Sequence, residues 1–471
     1  MMSQTFKTFL ISTVAAVAFC GTPQAETLDE ALGLAYQNNP TLLAARAALR
    51  AVDESVPIAL SGWRPTLSLN GNVSRTRSET QILSGVPTAG AVFGGGTTLR
   101  TSQTVVAQVR QPLFRGFETV AGTSQARAQV LAQRARLQSS EAQVLLDAAS
   151  AYIDVIRDQA VVELQRNNVQ VLTRQFEATN DRFNVGEITK TDVAQAQARL
   201  EGSKASLIQA ESDLARSRAA YENSVGKPPE ALTSPDVAKG LPTGVSEAVD
   251  TAIKSNPAFV AADFSAQAAQ DGIDVTRADL LPTIDLEAQY QKGWDTVADK
   301  SRAETKQARA ILTVPIYQAG AEYARLRQSK HTAGQRRLEA DQARLDAREN
   351  STAAYKAYEA TTASIVSLKS QIEASSIALE GVQREAEVGS RTVLDVLDAE
   401  QELLNARVNL VRAQRTQLVA SYQLLSTMGK LTAETLGLKV AAYDPTAHYD
   451  DVRFKVIGST TEADKDAKGT K

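Results

Sequence analysis

The sequence predicts an α+β protein in which two internal repeats each contribute a pair of strands and a pair of long helices. Three observations predict this fold class. Residues recur at constant offsets along most of the chain, four short segments alternate between apolar and polar side chains, and two long tracts contain no proline. Only 5% of the residues are aromatic, which is typical of long helices that pack through small side chains.

The duplication is the main feature of the chain, because an internal repeat decides the architecture before any local motif does. The matched residues include Asn39 and Asn256, Pro40 and Pro257, Pro112 and Pro315, Val185 and Val388, Gly186 and Gly389, and Asp192 and Asp395. The predicted segments are a first repeat at 26–227, an irregular linker at 228–244, a second repeat at 245–430, a C-terminal segment at 431–449 and a disordered tail at 450–471.

Each repeat is predicted to hold two strands with one apolar and one polar face. In the second copy Ile284, Leu286, Ala288 and Tyr290 alternate with polar residues, which is the period of a half-buried strand. The predicted strands are 66–76 and 103–112 in the first repeat and 283–291 and 307–315 in the second. Because the smallest barrels need about eight strands, one chain cannot close a barrel alone. Three chains would supply twelve strands.

A long helix and a returning helix follow each pair of strands. The tracts 118–184 and 322–387 contain no proline, and at about 1.5 Å per residue each would reach roughly 100 Å. The returning helices are predicted at 190–226 and 392–429. Apolar residues recur every seven positions, which predicts left-handed coiled packing. The heptad positions include Val155, Val162, Val169, Phe176 and Phe183, then Leu200, Leu207 and Leu214, then Leu397, Leu404 and Val411.

The segment 1–25 is interpreted as a secretory signal peptide. Lys7 precedes the apolar run Phe9 to Phe19, and small residues lead to a predicted cleavage after Ala25. Lipidation of Cys20 is the alternative, which the bulky Phe19 disfavours. After this segment no apolar run approaches the roughly 20 residues of a transmembrane helix.

Composition disfavours several function classes. The chain has 51 basic and 54 acidic residues, a formal net charge of −3, and no basic stripe that would suggest nucleic acid. His331 and His448 are the only histidines, and Cys20 is the single cysteine. The sequence contains neither a phosphate-binding loop nor a metal-ligand cluster, so we expect no enzyme activity and no cofactor.

Four motifs carry a resemblance to a known family. They are QPLF at Gln111–Phe114, RFNVG at Arg182–Gly186, VPIY at Val314–Tyr317 and VGSRTVLDVLDA at Val388–Ala399. In this order and at this spacing, within a duplicated unit, they resemble the TolC family of outer membrane efflux and secretion channels. The resemblance covers the chain between the predicted signal peptide and the predicted tail.

The resemblance implies a homotrimer in the cell outer membrane of a Gram-negative bacterium. A twelve-stranded β-barrel in contact with outer membrane lipid would continue into a long periplasmic α-helical coiled-coil barrel. Such a channel is the passive exit duct of a tripartite export system, with a periplasmic adaptor (membrane fusion protein) and an inner membrane transporter of the RND or ABC class. Multidrug export and type I secretion both use this kind of duct, so the cargo stays open. The alternative is a non-conducting periplasmic adaptor or structural protein. Such a protein would explain the heptads, but it would not readily explain the four alternating strands.

In that family aspartates that match Asp395 and Asp398 narrow the periplasmic entrance, so the resemblance implies a gate of six carboxylates in a trimer. Repulsion within such a ring raises carboxyl pKa values and favours cations. Helix capping is the alternative role of Asp395, because its counterpart Asp192 also follows a threonine by three residues. Asp398 is the more specific candidate, since Gln195 occupies that position in the first repeat.

The resemblance also assigns a closed-state link and an adaptor-docking surface. Arg391 matches the linking arginine of the family, and Thr191 and Asp192 match its partners. The chain departs from the family at Ala386, where well-known members carry a tyrosine, so one fastening of the link is expected to be absent. The tips that match adaptor-contacting positions are Val185, Gly186, Val388 and Gly389.

Overall fold

The computed structural model describes residues 26–80 and 96–461. The predicted signal peptide, with Cys20, lies outside these residues, as does the last part of the predicted tail, 462–471. In chain order the elements are α1 (Leu28–Asn38), α2 (Pro40–Asp53), α3 (Ser55–Leu60), β1 (Thr66–Thr80), β2 (Gly96–Arg115), α4 (Glu118–Asn184), α5 (Lys190–Val225), α6 (Val245–Ser255), α7 (Pro257–Ala278), β3 (Thr283–Trp294), β4 (Arg302–Thr313), α8 (Ala321–Glu387), α9 (Val393–Thr427) and α10 (Ala447–Val452). Within the described ranges, no helix combines the length and the apolar character that a membrane span requires.

The four strands form one antiparallel sheet in the order β1-β2-β3-β4. The predicted α+β fold class, with four strands per chain and long helices, is confirmed. The first hairpin is longer than predicted, because β1 continues to Thr80 and β2 begins at Gly96. The two hairpins come from different repeats and are joined by pairing between β2 and β3. Strands β1 and β4 are the two edges of the sheet.

The sheet has one apolar face and one polar face. Leu67, Leu69 and Val73 of β1 lie on the apolar face and are 77%, 72% and 70% exposed. On the polar face Arg110 forms an ion pair of 2.6 Å with Asp285, and Arg309 forms one of 2.9 Å with Glu287. Both carboxylates are buried, whereas both guanidinium groups are about half exposed. The polar face therefore carries charges that compensate each other.

The described chain divides into two compact units. One includes residues 26–35, 148–237 and 368–415, and the other includes 36–80, 96–147, 238–367 and 416–461. The first unit contains both helical turns, and its core joins α4, α5 and α9 through apolar side chains. These are Leu172 from α4, Ala196 and Leu200 from α5, and Val393 and Leu397 from α9. The second unit contains the sheet.

The start of the predicted disordered tail, residues 450–452, is helical in the structure. Residues Ala447–Val452 form α10, and the side chain of Val452 is buried. Tyr449 packs against a cluster of Val56, Ala126 and Val130, and the guanidinium of Arg134 lies 5.2 Å from its ring centre. Polar composition predicted disorder from residue 450 onward, but Val452 is buried, and Tyr449 just before it packs against residues from distant parts of the same unit.

Candidate functional site

The turns between α4 and α5 and between α8 and α9 have the same backbone. Gly186 has a φ of 82° and Gly389 a φ of 76°, a left-handed conformation that glycine adopts without the strain of a Cβ. The amide of Glu187 donates to the carbonyl of Arg182, and the amide of Ser390 donates to the carbonyl of Glu385, both at 2.9 Å. These bonds satisfy helix carbonyls that would otherwise lack partners.

Both returning helices begin with the same reciprocal cap. The carboxylate of Asp192 accepts from the amide and hydroxyl of Thr189 at 2.9 and 2.8 Å. Asp395 accepts from the amide and hydroxyl of Thr392 at the same distances. In each pair the aspartate amide donates back to the threonine hydroxyl, at 3.3 Å in α5 and 3.2 Å in α9. Asp395 therefore has a local structural role, and its role in a gate stays a prediction.

The caps also set the charge state of these two aspartates. Hydrogen bonds from the Thr189 hydroxyl and amide hold the pKa of Asp192 below its usual value, because they stabilise the ionised form. Those from the Thr392 amide and hydroxyl lower the pKa of Asp395 in the same way, with help from the charge of Arg391. Within one chain the shift is opposite to the rise expected for a ring of carboxylates.

Asp398 has a different partner, one that the sequence interpretation missed. Its carboxylate accepts from the guanidinium of Arg199 on α5 at 2.6 Å. The two side chains are 57% and 43% exposed, so the pair lies at the surface. One indication was present in the sequence. Arg199 is specific to the first repeat, because the equivalent position of the second repeat is Glu402, just as Asp398 is specific to the second. Only the packing of α5 beside α9 reveals the contact.

An ion pair crosses each turn, and the two pairs have opposite polarity. Arg182 before the first turn binds Glu187 after it at 2.6 Å. In the second turn the acid comes first, because Glu385 at the end of α8 binds Arg391 at 2.9 Å. This hydrogen bond and the charge of Glu385 raise the pKa of the Arg391 guanidinium. Each pair fastens the end of a long helix to the residues that follow the turn.

Within the chain Arg391 is therefore paired with Glu385 and Asp192 with Thr189, and the predicted link between Arg391 and Asp192 is not formed. Thr191 is exposed beside Asp192. The methyl of Ala386 is half-buried, and its carbonyl accepts from the amide of Gly389 at 3.2 Å. The link stays a prediction about neighbouring hairpins.

The tips of both turns present apolar surface. Val185 and Val388 are each 80% exposed, although valine is a residue that folded chains usually bury. A Cβ added at Gly186 or Gly389 would meet nothing within 4 Å. Among the residues that the structure describes, no three acidic or histidine side chains are grouped as metal ligands.

Comparison with known proteins gives this arrangement a family. The sequence profile of the outer membrane efflux protein family matches residues 31–227 and 248–430, which is more than half of the chain. The outer membrane efflux protein BepC of Brucella suis biovar 1 is 37% identical over 438 residues, which cover 93% of this chain and 92% of BepC.

Other similarities extend along most of the chain. The outer membrane protein TolC of Vibrio cholerae is 29% identical and covers 88% of this chain and 95% of its own. Among solved structures, the CmeC outer membrane channel of Campylobacter jejuni has the same fold, with a TM-score of 0.76 at 14% identity over 91% of this chain and 89% of CmeC. The chain therefore belongs to the outer membrane efflux protein family, the family of TolC.

Proposed function

We propose that three copies of this chain form the exit duct of a tripartite export system in the outer membrane, and that the hairpin turns control its periplasmic entrance. Membership of the family makes the chain an outer membrane channel protein and not an enzyme, and it removes the alternative of a non-conducting adaptor. Channels of this family are trimeric and work with periplasmic adaptors and inner membrane transporters.

The observation that carries the proposal is an open four-stranded sheet with one apolar and one polar face. Both edge strands lack a partner within the described chain, and such edges must be paired before a sheet can stand in a membrane. Pairing of β4 in one copy with β1 in the next closes twelve strands. The exposed face that contains Leu67, Leu69 and Val73 then meets lipid, and the polar face lines the duct.

The charge of the entrance depends on three residues of each chain in this proposal. Asp395 keeps its ionised form because the cap of α9 lowers its pKa. Asp398 lies on the same helix, and Arg199 at 2.6 Å offsets its charge. An entrance lined by these residues favours cations, and it favours them less than six unpaired carboxylates would.

The closed-state link requires Arg391 to exchange partners. Its guanidinium is held by Glu385 at 2.9 Å, so a bond to Asp192 of a neighbouring hairpin competes with a bond within its own turn. Exposed ion pairs are worth about 0–1 kcal/mol, so the two bonds are similar in free energy. We infer that Glu385 holds Arg391 when the duct is open and Asp192 holds it when the duct is closed.

The adaptor contacts the exposed tips in this proposal, at Val185 and Gly186 of the first turn and Val388 and Gly389 of the second. The valines offer apolar surface that stands clear of the helices. The glycines keep the tips narrow because they carry no side chain. The space around each is open, since a Cβ added there would meet nothing within 4 Å. These residues do not distinguish an RND transporter from an ABC transporter. The choice of cargo is expected to depend on the inner membrane partner and not on the tips.

The proposal is tested by reconstitution of the purified full chain in planar bilayers. We expect a trimer that resists dissociation in detergent, together with single-channel conductance. Removal of lipid contact provides the control, because Leu69→Arg places a charge on the apolar face and should prevent membrane insertion. A trimer that inserts without conducting, or a monomer that conducts, would contradict the proposal.

A further inference from the structure

The apolar face of the sheet ends in a band of basic side chains. The regular antiparallel register places the odd-numbered residues of β1 on one face with Val109 of β2 and Tyr290 of β3. Beyond Leu67, Leu69 and Val73 this face of β1 continues with Arg75 and Arg77. The charged residues on the apolar face of the four strands are Arg75, Arg77 and Glu79 of β1, Lys292 of β3, and Arg302, Glu304 and Lys306 of β4. Basic residues therefore outnumber acidic ones on this face.

Three of these basic groups are without a partner. Arg75, Arg77 and Arg302 are exposed, and their side chains form no ion pair, hydrogen bond or ring contact with any residue that the structure describes. The lysines differ from them, because Lys306 binds Glu304 at 3.0 Å and Lys292 lies 5.6 Å from the ring centre of Trp294. Three free guanidinium groups are thus available to a ligand from outside the chain.

The order of side chains along the strands is that of a membrane surface. Aliphatic residues come first, the aromatic rings of Tyr290 and Trp294 follow on β3, and the free arginines lie beside and beyond them. Aromatic rings concentrate at the boundary between the apolar band of a membrane and water. The basic groups lie where the strands approach their hairpin turns, at the strand ends that do not continue into helices.

Closure of the sheet would bring the free arginines together. In the proposed trimer β4 of one copy lies beside β1 of the next, so Arg302 of one chain and Arg75 and Arg77 of its neighbour occupy adjacent strands on the same face. Guanidinium groups bind phosphate through paired hydrogen bonds. In the proposed barrel these arginines lie beside and beyond the aromatic rings, past the aliphatic band, so they would meet lipid headgroups and not acyl chains.

We propose that Arg75, Arg77 and Arg302 bind the phosphates of an anionic glycolipid in the outer leaflet, whose acyl chains lie against the apolar face. The site rests on the proposed function, since it is completed by a second copy and by closure of the sheet. Charge complementarity selects this ligand over a zwitterionic lipid, because the two acidic residues on the face leave an excess of positive charge. The turn at 295–301 adds two aspartates and one lysine beyond the strand ends.

The test is binding of bisphosphorylated lipid A, in neutral detergent, to the purified full-length trimer. We expect the triple variant Arg75→Gln, Arg77→Gln and Arg302→Gln to lose affinity about tenfold or more, because hydrogen bonds between charged groups are lost. The triple lysine variant keeps the positive charge but cannot form the paired hydrogen bonds, so its affinity should lie between those of the natural chain and the glutamine variant. Salt should weaken binding to the natural chain and have less effect on the glutamine variant.

Two control ligands show which part of the lipid the arginines and the apolar face recognise. Lipid A stripped of its phosphates should bind the natural chain as weakly as the glutamine variant binds the phosphorylated form. The site would be overturned if the natural chain bound lipid A equally well with and without its phosphates. It would also be overturned if the natural chain, the glutamine variant and the lysine variant bound lipid A equally. Inorganic phosphate that bound as tightly as lipid A would also overturn it, because the apolar face would then contribute nothing. Conductance and the detergent-resistant trimer are measured on each variant, so failure of the proposed channel would be seen separately.

Discussion

The turn at Val185–Ala196 and the turn at Val388–Ala399 share their backbone but differ in the charges that they carry. Each has a left-handed glycine, an exposed valine and a Thr-Asp cap with bonds of almost the same length. The second turn reverses the polarity of the ion pair across the turn. It also adds Asp398 in place of Gln195, together with the contact to Arg199. The shared parts reverse the chain, so we expect the parts that differ to give the second turn its distinct role in the proposed gate.

The comparison also identifies which helices support each turn. The core beneath them takes Val393 and Leu397 from the start of α9. The corresponding residues of α5 are Lys190 and Ala194, and Ala194 is exposed. The start of α9 is therefore anchored by apolar burial as well as by its cap, whereas the start of α5 is anchored by Ala196 and Leu200 further along.

The largest effect is expected from a bulky residue at the second tip. Gly389→Val should abolish export while the trimer still assembles, because the side chain enters the contact surface and the left-handed backbone adds roughly 1–2 kcal/mol of strain. Export is measured as accumulation of a fluorescent substrate in cells that depend on this channel. Gly186→Val imposes the same strain at the first tip, and Gly381→Ala, within α8, is the neutral control. A Gly389→Val protein that cannot assemble would show that this glycine serves folding alone.

The next effect concerns the exchange of partners by Arg391. Arg391→Ser should raise resting conductance in planar bilayers by up to about fivefold, because one exposed ion pair of the closed state is lost. Glu385→Gln should lower resting conductance or leave it unchanged, since it frees Arg391 for the neighbouring hairpin. Arg182→Gln breaks the matching pair of the first turn and is the control. If Arg391→Ser and Glu385→Gln raise conductance equally, Arg391 only fastens its own turn.

Selectivity should change in opposite directions at Asp398 and Arg199. Asp398→Asn should reduce the ratio of cation to anion permeability roughly twofold, and Arg199→Gln should raise it by a similar factor, because each removes one charge per chain from the entrance. Gln195→Asp gives the first turn the acid that only the second possesses and should also raise the ratio. Reversal potentials in a salt gradient measure these changes. No difference between Asp398→Asn and the natural chain would exclude Asp398 from the entrance.

The smallest effect is expected from acid, and it should be the same in both turns. The native pKa values of Asp192 and Asp395 lie below the usual 3.8, so each cap contributes stability above that value and loses it as the pH falls through the native pKa. Hydrogen exchange is measured on peptides that cover 187–196 and 390–399 and is corrected for the intrinsic effect of pH. Protection should fall equally in both peptides as the pH falls below 3.8 and through the native pKa values. A rise in protection of the second turn alone would indicate that Asp395 has a raised pKa in the trimer.

Much of the fold could be predicted from the sequence because its information is local. The tract 118–184 without proline has the bounds of α4, and the alternation of Ile284, Leu286 and Ala288 places them on one face of β3. Residues 450–452, at the start of the predicted tail, differ from the prediction of disorder for the opposite reason. The polar composition of the tail does not reveal that Val452 is buried, or that the adjacent Tyr449 packs against Val56, Ala126 and Val130.

The candidate site divides in the same way. Residues within a few positions of each other determine the turns, so Gly389, Thr392 and Asp395 could be assigned from one short stretch of sequence. The partner of Asp398 could not be, because Arg199 is distant in the chain and nothing in its own helix points to α9. Arg391 was assigned to Asp192 by resemblance, yet within the chain Glu385 holds it.

A duplicated unit with two pairs of strands, long helices and two capped turns could be predicted from the amino-acid sequence alone. These features depend on backbone conformation and hydrogen bonds between near neighbours. The folded chain was needed to show that β2 pairs with β3, that α5 lies beside α9, and that three arginine side chains on the apolar face have no partner among the residues that the structure describes. These features depend on residues far apart in the chain, which strand pairing and helix packing bring together or keep apart, and no local pattern predicts which distant segments will meet.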